Sequence, residues 1–188
     1  MMPIKDSKFV QLINRYERLF AWVRLFYPCA AGVPIQYLLY CFVPQKLFMI
    51  NGQVPWPVHF TSRVLYPKRM TVGRCCAPGL AGNCYIQARN SIVVGDNLWT
   101  GPGVGLISSN HDLNDYRRHI NTKPLTIGNN VWIGMNAVLL PGVTVGSNVA
   151  VGANAVVTKN LPDNVIAVGN PCRVIKKKPP YPITSFGN

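Results

Sequence analysis

The sequence of 188 residues predicts an all-β fold in which short strands wind into a three-sided parallel β-helix. Glycine and proline occur 16 times each and only 13% of residues are charged, a balance typical of a turn-rich β protein. An aliphatic residue also recurs at every sixth position in the second half of the chain. A short strand followed by a sharp corner explains this period, and three such sides close one coil.

The six-residue period is clearest between residues 127 and 157. Stepping by six gives only aliphatic residues: Ile127, Ile133, Leu139, Val145, Val151 and Val157. Glycine follows four of these six positions. Weaker runs link Val94, Thr100 and Leu106, and Val58, Val64 and Met70. We expect the periodic side chains to point into the prism, and glycine and asparagine to form corners whose backbone angles other residues avoid.

Two segments interrupt this repeat. Residues 107–126 are too long for one side and are rich in polar residues, so we predict an excursion from the coil, where functional residues gather. Residues 1–50 show helical spacing from Phe9 to Phe26, which Pro28 ends, and then a short apolar stretch from Ile35 to Val43. The predicted organisation is an N-terminal helical or amphipathic segment at 1–50, a β-helix at 51–175 and a C-terminal tail at 176–188.

The N-terminal segment has two interpretations. Its basic amphipathic helix either packs against the solenoid or a neighbouring subunit, which we favour, or makes peripheral contact with a membrane surface. The apolar stretch from Ile35 to Val43 is far shorter than the ~20 residues that span a bilayer. No signal-peptide pattern is expected at the N-terminus, so a cytoplasmic location is predicted, with membrane association as the alternative.

The net charge of +13, with only six acidic residues, favours an anionic partner such as a phosphate-bearing cofactor. The basic residues are scattered, except for Lys176 to Lys178, and are not interleaved with aromatic residues, which argues against a nucleic-acid partner. The six cysteines form neither a CxxC pair nor a zinc-site spacing. We therefore expect buried thiols and no metal.

The stretch from Lys123 to Lys178 resembles the hexapeptide-repeat O-acetyltransferases, the family of maltose, galactoside, nodulation-factor and surface-polysaccharide acetyltransferases. The resemblance rests on these motifs: KPLTIGNNVWIG (123–134), PGVTVG (141–146), VVTK (156–159) and GNPCRVI (169–175). It reaches back to about Val94 and covers half of the chain. It implies a left-handed winding of the coil, acetyl-CoA as co-substrate, and a homotrimer with active sites between neighbouring prisms. The N-terminal segment does not resemble the helical domain of the maltose and galactoside enzymes.

The resemblance also implies that a histidine in the loop is the general base. Thirteen residues separate that histidine from a Gly-Asp-Asn motif, which is residues 95–97 here, so the implied base is His111. The inward phase of the repeat independently places His111 outside the coil. Asp112 either orients the imidazole or shapes the turn, and Asn110 has the same two roles, with the turn favoured. His59 and His119 are expected to be structural or solvated.

Histidine suits this chemistry because it titrates near neutral pH. As general base it removes the proton of an attacking hydroxyl, an effect typically worth ~10²–10⁴ in rate. A backbone N–H at a coil corner would stabilise the oxyanion. No cysteine or serine is paired with a base in the sequence. Direct transfer within a ternary complex is therefore expected rather than an acyl-enzyme.

The resemblance assigns further residues to the acetyl-CoA site. Met135, Ala153 and Thr158 are implied to form the wall along the pantetheine arm, with Trp132 beside it or, alternatively, at a subunit interface with Trp99. The implied contacts to the adenosine phosphates are made by Lys159, Arg173 and Lys176, although the last of these also fits a solvated tail. Asn83 and Tyr85 are candidates for acceptor binding by location only.

Three functions are compatible with this pattern. An acetyl-CoA-dependent O-acetyltransferase acting on a saccharide or glycolipid fits best, and a drug-acetylating enzyme of the same fold or a non-catalytic scaffold are alternatives. A zinc enzyme on a similar solenoid would need three histidines converging on the metal, and the whole chain has only three, His59, His111 and His119.

Overall fold

The computed structural model describes residues 17–30 and 33–182, which form a three-sided parallel β-helix preceded by short helices. The helical elements are α1 (Glu17–Phe20), a 3-10 helix (Ala21–Phe26), a 3-10 turn (Pro28–Ala30), α2 (Ile35–Phe42) and a π-helical turn (Val43–Leu47). The beginning of the helix expected from Phe9 lies outside the described residues. In the described part of the chain, no helix has the length and apolar character that crossing a membrane requires.

Short strands make up the solenoid. They are β1 (Arg63–Leu65), β2 (Met70–Val72), β3 (Tyr85–Gln87), β4 (Ile92–Val94), β5 (Leu98–Thr100), β6 (Gly105–Ile107), β7 (Leu125–Ile127), β8 (Val131–Ile133), β9 (Val138–Leu139), β10 (Thr144–Val145), β11 (Ala150–Val151), β12 (Val156–Val157), β13 (Val165–Val168) and β14 (Arg173–Lys177). A 3-10 turn, Pro67–Arg69, joins β1 to β2.

Each sheet forms one side of the prism. Side A has the order β1-β3-β6-β9-β12, side B the order β2-β4-β7-β10, and side C the order β5-β8-β11-β13-β14. All pairs are parallel except β13 with β14, which is antiparallel. From β3 to β12 consecutive strands move from side A to B to C, so three strands complete one coil. The chain therefore has three corners per coil, which we name A/B, B/C and C/A.

The core is the stack of periodic aliphatic side chains. The six positions from Ile127 to Val157 are all 0–1% exposed, which confirms their inward orientation. The strand register places Ile133 beside Val151 and Leu139 beside Val157 in successive coils. Burial of these branched side chains, each worth about 1.5–3 kcal/mol, is the main stabilising contribution of the repeat.

Asparagine and glycine serve the corners for different reasons. Asn130, Asn148 and Asn164 have φ of 56° to 58°, the left-handed region in which asparagine is tolerated. The repeat glycines are not in that region. A Cβ on Gly128 would instead lie 2.6 Å from Ser147 Oγ, and one on Gly134 would lie 2.6 Å from the backbone nitrogen of the next coil. The expectation based on backbone angles is thus correct for the asparagines and wrong for these glycines, which permit close contact between coils.

The described part of the N-terminal segment packs on the first coils. Gln45, which is 0% exposed, donates from Nε2 to the carbonyls of Val54 and Trp56 at 2.9 Å and accepts a hydrogen bond from the Tyr27 hydroxyl at 3.1 Å. The Cys76 N–H donates to a carbonyl of the 3-10 turn Pro28–Ala30 at 3.0 Å. These contacts support the packing interpretation for the part of the segment that the structure describes.

At the other end of the solenoid, β14 reverses direction and covers the edge of side C. It pairs with β13 from Arg173 to Lys177, and the Lys178 N–H donates to the Asn164 carbonyl at 2.8 Å. The strand thus continues across the predicted boundary between residues 175 and 176. The domain ranges themselves stay predictions.

Candidate active site

The polar excursion leaves the coil at corner A/B, after β6, and returns at β7. Its stem is held by side chains: Asn90 Nδ2 donates to the Ile120 carbonyl at 2.9 Å and to Thr122 Oγ1 at 3.0 Å. The Thr122 hydroxyl in turn donates to the Ser108 carbonyl at 2.9 Å. Because these bonds join the returning end of the loop to the preceding coil and to the departing end, they fix the direction in which the loop projects.

His111 stands exposed in this loop, as its sequence phase predicts. Its Nδ1 is in hydrogen-bond contact with the backbone carbonyl of Tyr116. A carbonyl only accepts, so Nδ1 carries the proton in this contact. In a neutral imidazole the other nitrogen, Nε2, is then an acceptor. The loop therefore presents a histidine in the tautomer that a general base requires.

His119 lies directly beside His111. The two residues form an antiparallel β-bridge, and their ring centroids are 4.2 Å apart with an angle of 34° between the planes. The pKa of His119 is lowered, first by desolvation and then by the charges of Arg89 and His111. Sequence reasoning missed this pair, because a separation of eight residues indicates contact only once the intervening segment is known to form a hairpin.

The neighbours of His111 in sequence shape the turn. The Asp112 carboxylate accepts the Asn114 N–H at 2.8 Å, and the Asn110 carbonyl accepts the Ile120 N–H at 3.0 Å. The contact of Asp112 is therefore one that closes the turn, and its role toward the imidazole stays a prediction. The contact that orients the imidazole comes from the main chain rather than from a carboxylate.

The residues that the resemblance assigns to acetyl-CoA lie on two corners of the prism. Met135 and Ala153 occupy corner C/A in successive coils, and both are exposed. Thr158 and Lys159 follow β12 at corner A/B, the corner from which the His111 loop projects, and they too are exposed. Side A separates these two groups.

The remaining acetyl-CoA candidates lie on side C. Trp132 points outward from β8 and is 57% exposed, beside Trp99 at 58%, so both predicted outward orientations are confirmed. Arg173 and Lys176 are exposed on β14. Within one chain, the structure therefore does not bring His111 close to all of the residues that the resemblance assigns to acetyl-CoA.

The acceptor candidates lie near the N-terminal end of side A. Asn83 is exposed at corner C/A with φ of 54°, and its N–H donates to Thr61 Oγ1 at 2.9 Å. Tyr85 is exposed on β3. Binding of an acceptor by Asn83 and Tyr85 stays a prediction.

The third histidine has structural contacts. The His59 ring stacks on Phe60 with centroids 4.6 Å apart, and its Nδ1 is 2.7 Å from Thr61 Oγ1. Within residues 17–30 and 33–182, no three histidine, cysteine or acidic side chains are grouped as a metal site would require.

Comparison with known proteins agrees with this architecture. Residues 124–159 match the family described as bacterial transferase hexapeptide (six repeats). The chain is 37% identical over 139 residues to the galactoside O-acetyltransferase of Escherichia coli strain K12, an alignment that covers 71% of this chain and 66% of that enzyme.

Solved structures give the same result. A galactoside acetyltransferase in complex with coenzyme A is 36% identical, with a TM-score of 0.55 over 62% of each chain. A maltose O-acetyltransferase from Clostridium difficile 630 is 27% identical, with a TM-score of 0.59 over 93% of this chain and 90% of that one.

The chain contains the bacterial transferase hexapeptide repeat and is similar to hexapeptide-repeat acetyltransferases. This relationship implies that the parallel β-helix winds left-handed. The alignments span 66% of the Escherichia coli enzyme and about half of the length of several other curated relatives.

Proposed function

We propose that this chain is an acetyl-CoA-dependent O-acetyltransferase that transfers the acetyl group directly to a hydroxyl of a saccharide or glycolipid. The observation that carries the proposal is the exposed His111 ring, whose Nδ1 is held by the Tyr116 carbonyl. The names of the relatives, galactoside and maltose O-acetyltransferases, support a saccharide acceptor.

In the proposed reaction, Nε2 of His111 accepts the proton of the acceptor hydroxyl while its oxygen attacks the thioester carbonyl. A new C–O bond forms, and the carbonyl oxygen becomes an oxyanion, which a backbone N–H stabilises. When the intermediate collapses, the C–S bond breaks and the departing thiolate takes the proton from the imidazolium. The products are the acetyl ester and coenzyme A.

The donor site is proposed to lie between two chains of a homotrimer. His111 with Thr158 and Lys159 lies at one corner of the prism, whereas Met135 and Ala153 lie at another. Cyclic packing of identical prisms would bring corner A/B of one chain to corner C/A of the next. Each site would then combine the base of one subunit with the pantetheine wall of its neighbour.

The experiment is to replace His111→Ala and measure acetyl transfer with labelled acetyl-CoA over a panel of sugars, glycolipids and drugs. We expect kcat to fall by about 10²–10⁴-fold, because the general base is lost, while acetyl-CoA binding measured by calorimetry is retained. His59→Ala is the matched control, since it also removes an imidazole, and it should keep wild-type activity.

Two results would contradict the proposal. Wild-type transfer by His111→Ala would remove that residue from the mechanism. Absence of acetyl-CoA binding at millimolar concentration would contradict the enzymatic function and favour a scaffold.

A further inference from the structure

Two arginine side chains are held on one tyrosine ring at corner A/B of the first coils. The guanidinium carbon of Arg69 lies 5.6 Å from the centroid of the Tyr66 ring, and that of Arg89 lies 5.7 Å from it. Arg89 Nη1 also donates to the Tyr66 hydroxyl at 3.3 Å, and Arg69 Nη1 donates to the Arg89 carbonyl at 2.5 Å. We call these three residues the Tyr66 cluster.

The cluster carries two positive charges without an acidic partner. Within the described residues, neither Arg69 nor Arg89 forms an ion pair with a carboxylate, whereas Arg74 pairs with Asp96 at 3.0 Å. Two positive groups held on one ring repel each other, and an anion bound between them would offset this repulsion. Guanidinium groups also present paired N–H donors that match phosphate and carboxylate oxygens. The cluster therefore has the charge and the donors of an anion site.

The backbone of Tyr66 is part of this arrangement. Its φ of 60° and ψ of 48° lie in the left-handed region, which bulky residues rarely adopt. The Tyr66 carbonyl accepts the Arg69 N–H at 2.9 Å, so the turn that follows brings Arg69 back to the ring. Strained residues of this kind concentrate at binding sites.

A groove of about 370 Å³ opens beside the cluster. Tyr66 and Arg63 line it, and Asn51 and Gln53 are among its polar residues. Arg63 is exposed and, like the two arginines of the cluster, has no carboxylate partner among the described residues. The volume falls within the range of small-molecule sites. A sugar unit therefore fits next to the positive charges.

Described contacts connect the cluster to His111. Tyr66, Arg89 and the His111 loop follow β1, β3 and β6, which are neighbouring strands of side A, at the same corner. The lowered pKa of His119 has desolvation as its first cause and the electrostatic interaction with Arg89 as its second. The His119 ring centroid is 4.2 Å from that of His111. Two strand spacings place Tyr66 about 10 Å from the root of the loop.

We propose that the Tyr66 cluster binds an anionic group of the acceptor, a phosphate or a carboxylate, so that the acceptor is an anionic saccharide rather than a neutral one. The inference rests on the proposed function, because it names the acceptor class of that enzyme. A separation of about 10 Å places the charged group and the acetylated hydroxyl on neighbouring sugar units. The residues assigned to the phosphates of acetyl-CoA lie at the opposite end of the solenoid: Lys159, Arg173 and Lys176.

Trehalose 6-phosphate and trehalose are a matched pair that tests the anion site without acetyl transfer. In calorimetric titration of the full chain, we expect the phosphorylated sugar to bind about tenfold or more tightly, because charge-assisted hydrogen bonds are stronger than neutral ones. The difference should shrink as the salt concentration rises. Comparison of glucuronic acid with glucose then distinguishes a carboxylate from a phosphate preference, and a preference for either anion supports the proposal.

Three variants test whether the cluster is responsible. Arg69→Gln is expected to lower the affinity for trehalose 6-phosphate about tenfold, while acetyl-CoA binding is unchanged. Arg74→Gln removes the same charge from a guanidinium that pairs with Asp96, and it should bind like the wild type. Tyr66→Leu keeps the net charge but removes the ring that holds both guanidinium groups, so it should also weaken binding. If Tyr66→Leu does not fold, Arg89→Gln is the replacement.

Acetyl transfer tests the link between the anion site and the acceptor. The KM for trehalose 6-phosphate should be about tenfold lower than the KM for trehalose, and Arg69→Gln should remove this difference. His111→Ala should lower kcat for both sugars and retain the tighter binding of the phosphorylated one.

The outcomes separate the two proposals. Equal affinity for the charged and neutral sugars, or unchanged binding in Arg69→Gln and Tyr66→Leu, would overturn the anion site, even if His111-dependent transfer to neutral sugars is observed. A matching loss of acetyl-CoA affinity in Arg69→Gln would assign the cluster to the donor and also overturn the proposal. Conversely, selective binding that Arg69→Gln removes, in a protein that does not bind acetyl-CoA, would retain the anion site and reject the acetyltransferase.

Discussion

The carbonyl of Tyr116 orients His111 without adding charge beside it. A carboxylate in that position would fix the same tautomer, but it would also stabilise the imidazolium that forms during proton transfer. The Asp112 carboxylate is engaged with the Asn114 N–H instead. The hairpin backbone therefore determines the orientation of the proposed base, and a side-chain motif does not reveal this.

His119 provides a measurable test of the histidine pair. Its pKa is lowered first by desolvation and then by electrostatic interaction with Arg89 and His111, so we expect it to titrate below the ordinary histidine value in an NMR pH titration. Arg89→Gln removes one repulsive charge and should raise the midpoint of His119. Arg117→Gln, a loop cation that pairs with Asp115, should leave it unchanged.

The sign of the linked stability effect follows from that shift. His119 binds its proton less tightly in the native protein than in the unfolded chain, because its native pKa is lowered. Its contribution to the free energy of unfolding is therefore present above the ordinary histidine pKa and is lost as the pH falls from that pKa to the lowered one. A midpoint of His119 at or above the ordinary value would contradict the desolvated, like-charged environment.

At the scale of elements, the distance between coils determines which residue occupies a corner as much as the backbone angles do. Gly142 has φ of 75° but open space around it, with the nearest atoms 3.8 Å from an added Cβ. Gly128 has no such angle, yet a Cβ there would lie 2.8 Å from the backbone of Gly146. Comparison of the two glycines thus distinguishes two reasons for glycine at a corner: conformational strain at Gly142 and steric contact at Gly128.

We expect Gly128→Ala to lower the free energy of unfolding more than Gly142→Ala does. The first change forces two coils apart and should cost about 2–3 kcal/mol, whereas the second costs about 1 kcal/mol of left-handed strain. Urea unfolding followed by circular dichroism measures both variants. A larger loss for Gly142→Ala would show that backbone angle, rather than contact between coils, determines the choice of glycine.

At the scale of the whole molecule, the separation of His111 from Met135 and Ala153 across side A has a functional consequence. A reaction needs the base and the thioester in near contact, whereas one prism holds the proposed base and the proposed pantetheine wall on different corners. Assembly is therefore part of the proposed active site, and disruption of the subunit contact should abolish activity without affecting the fold of the coil.

Mixed oligomers test this shared site. His111→Ala lacks the base, and Ala153→Trp obstructs the pantetheine wall, so each variant alone should be inactive. Co-expression of the two should restore roughly a quarter of the sites, because random mixing pairs an intact base with an intact wall on neighbouring subunits. Acetyl transfer is measured on the purified mixture of the two variants. Oligomers assembled from two differently tagged copies of His111→Ala serve as the control. If the mixture regains no activity, the site lies within one chain.

Much of the solenoid was predictable because its order is local. A six-residue aliphatic period requires inward side chains at fixed intervals, and the structure buries Ile127 and its five successors accordingly. The exposure of His111 follows from the same phase. These features depend on residues that are near each other in the chain, so they can be predicted from the sequence pattern.

The remaining features depend on contacts between distant residues. The pairing of His111 with His119 needs a hairpin, and the distance between coils explains Gly128. The Tyr66 cluster exists only because corner A/B brings Arg69 and Arg89 from successive coils to one ring. The sequence by itself determined the repeat, the resemblance to hexapeptide-repeat acetyltransferases and the candidate base. Only the tertiary structure decided which side chains meet, because packing and desolvation act between surfaces that the order of residues does not place side by side.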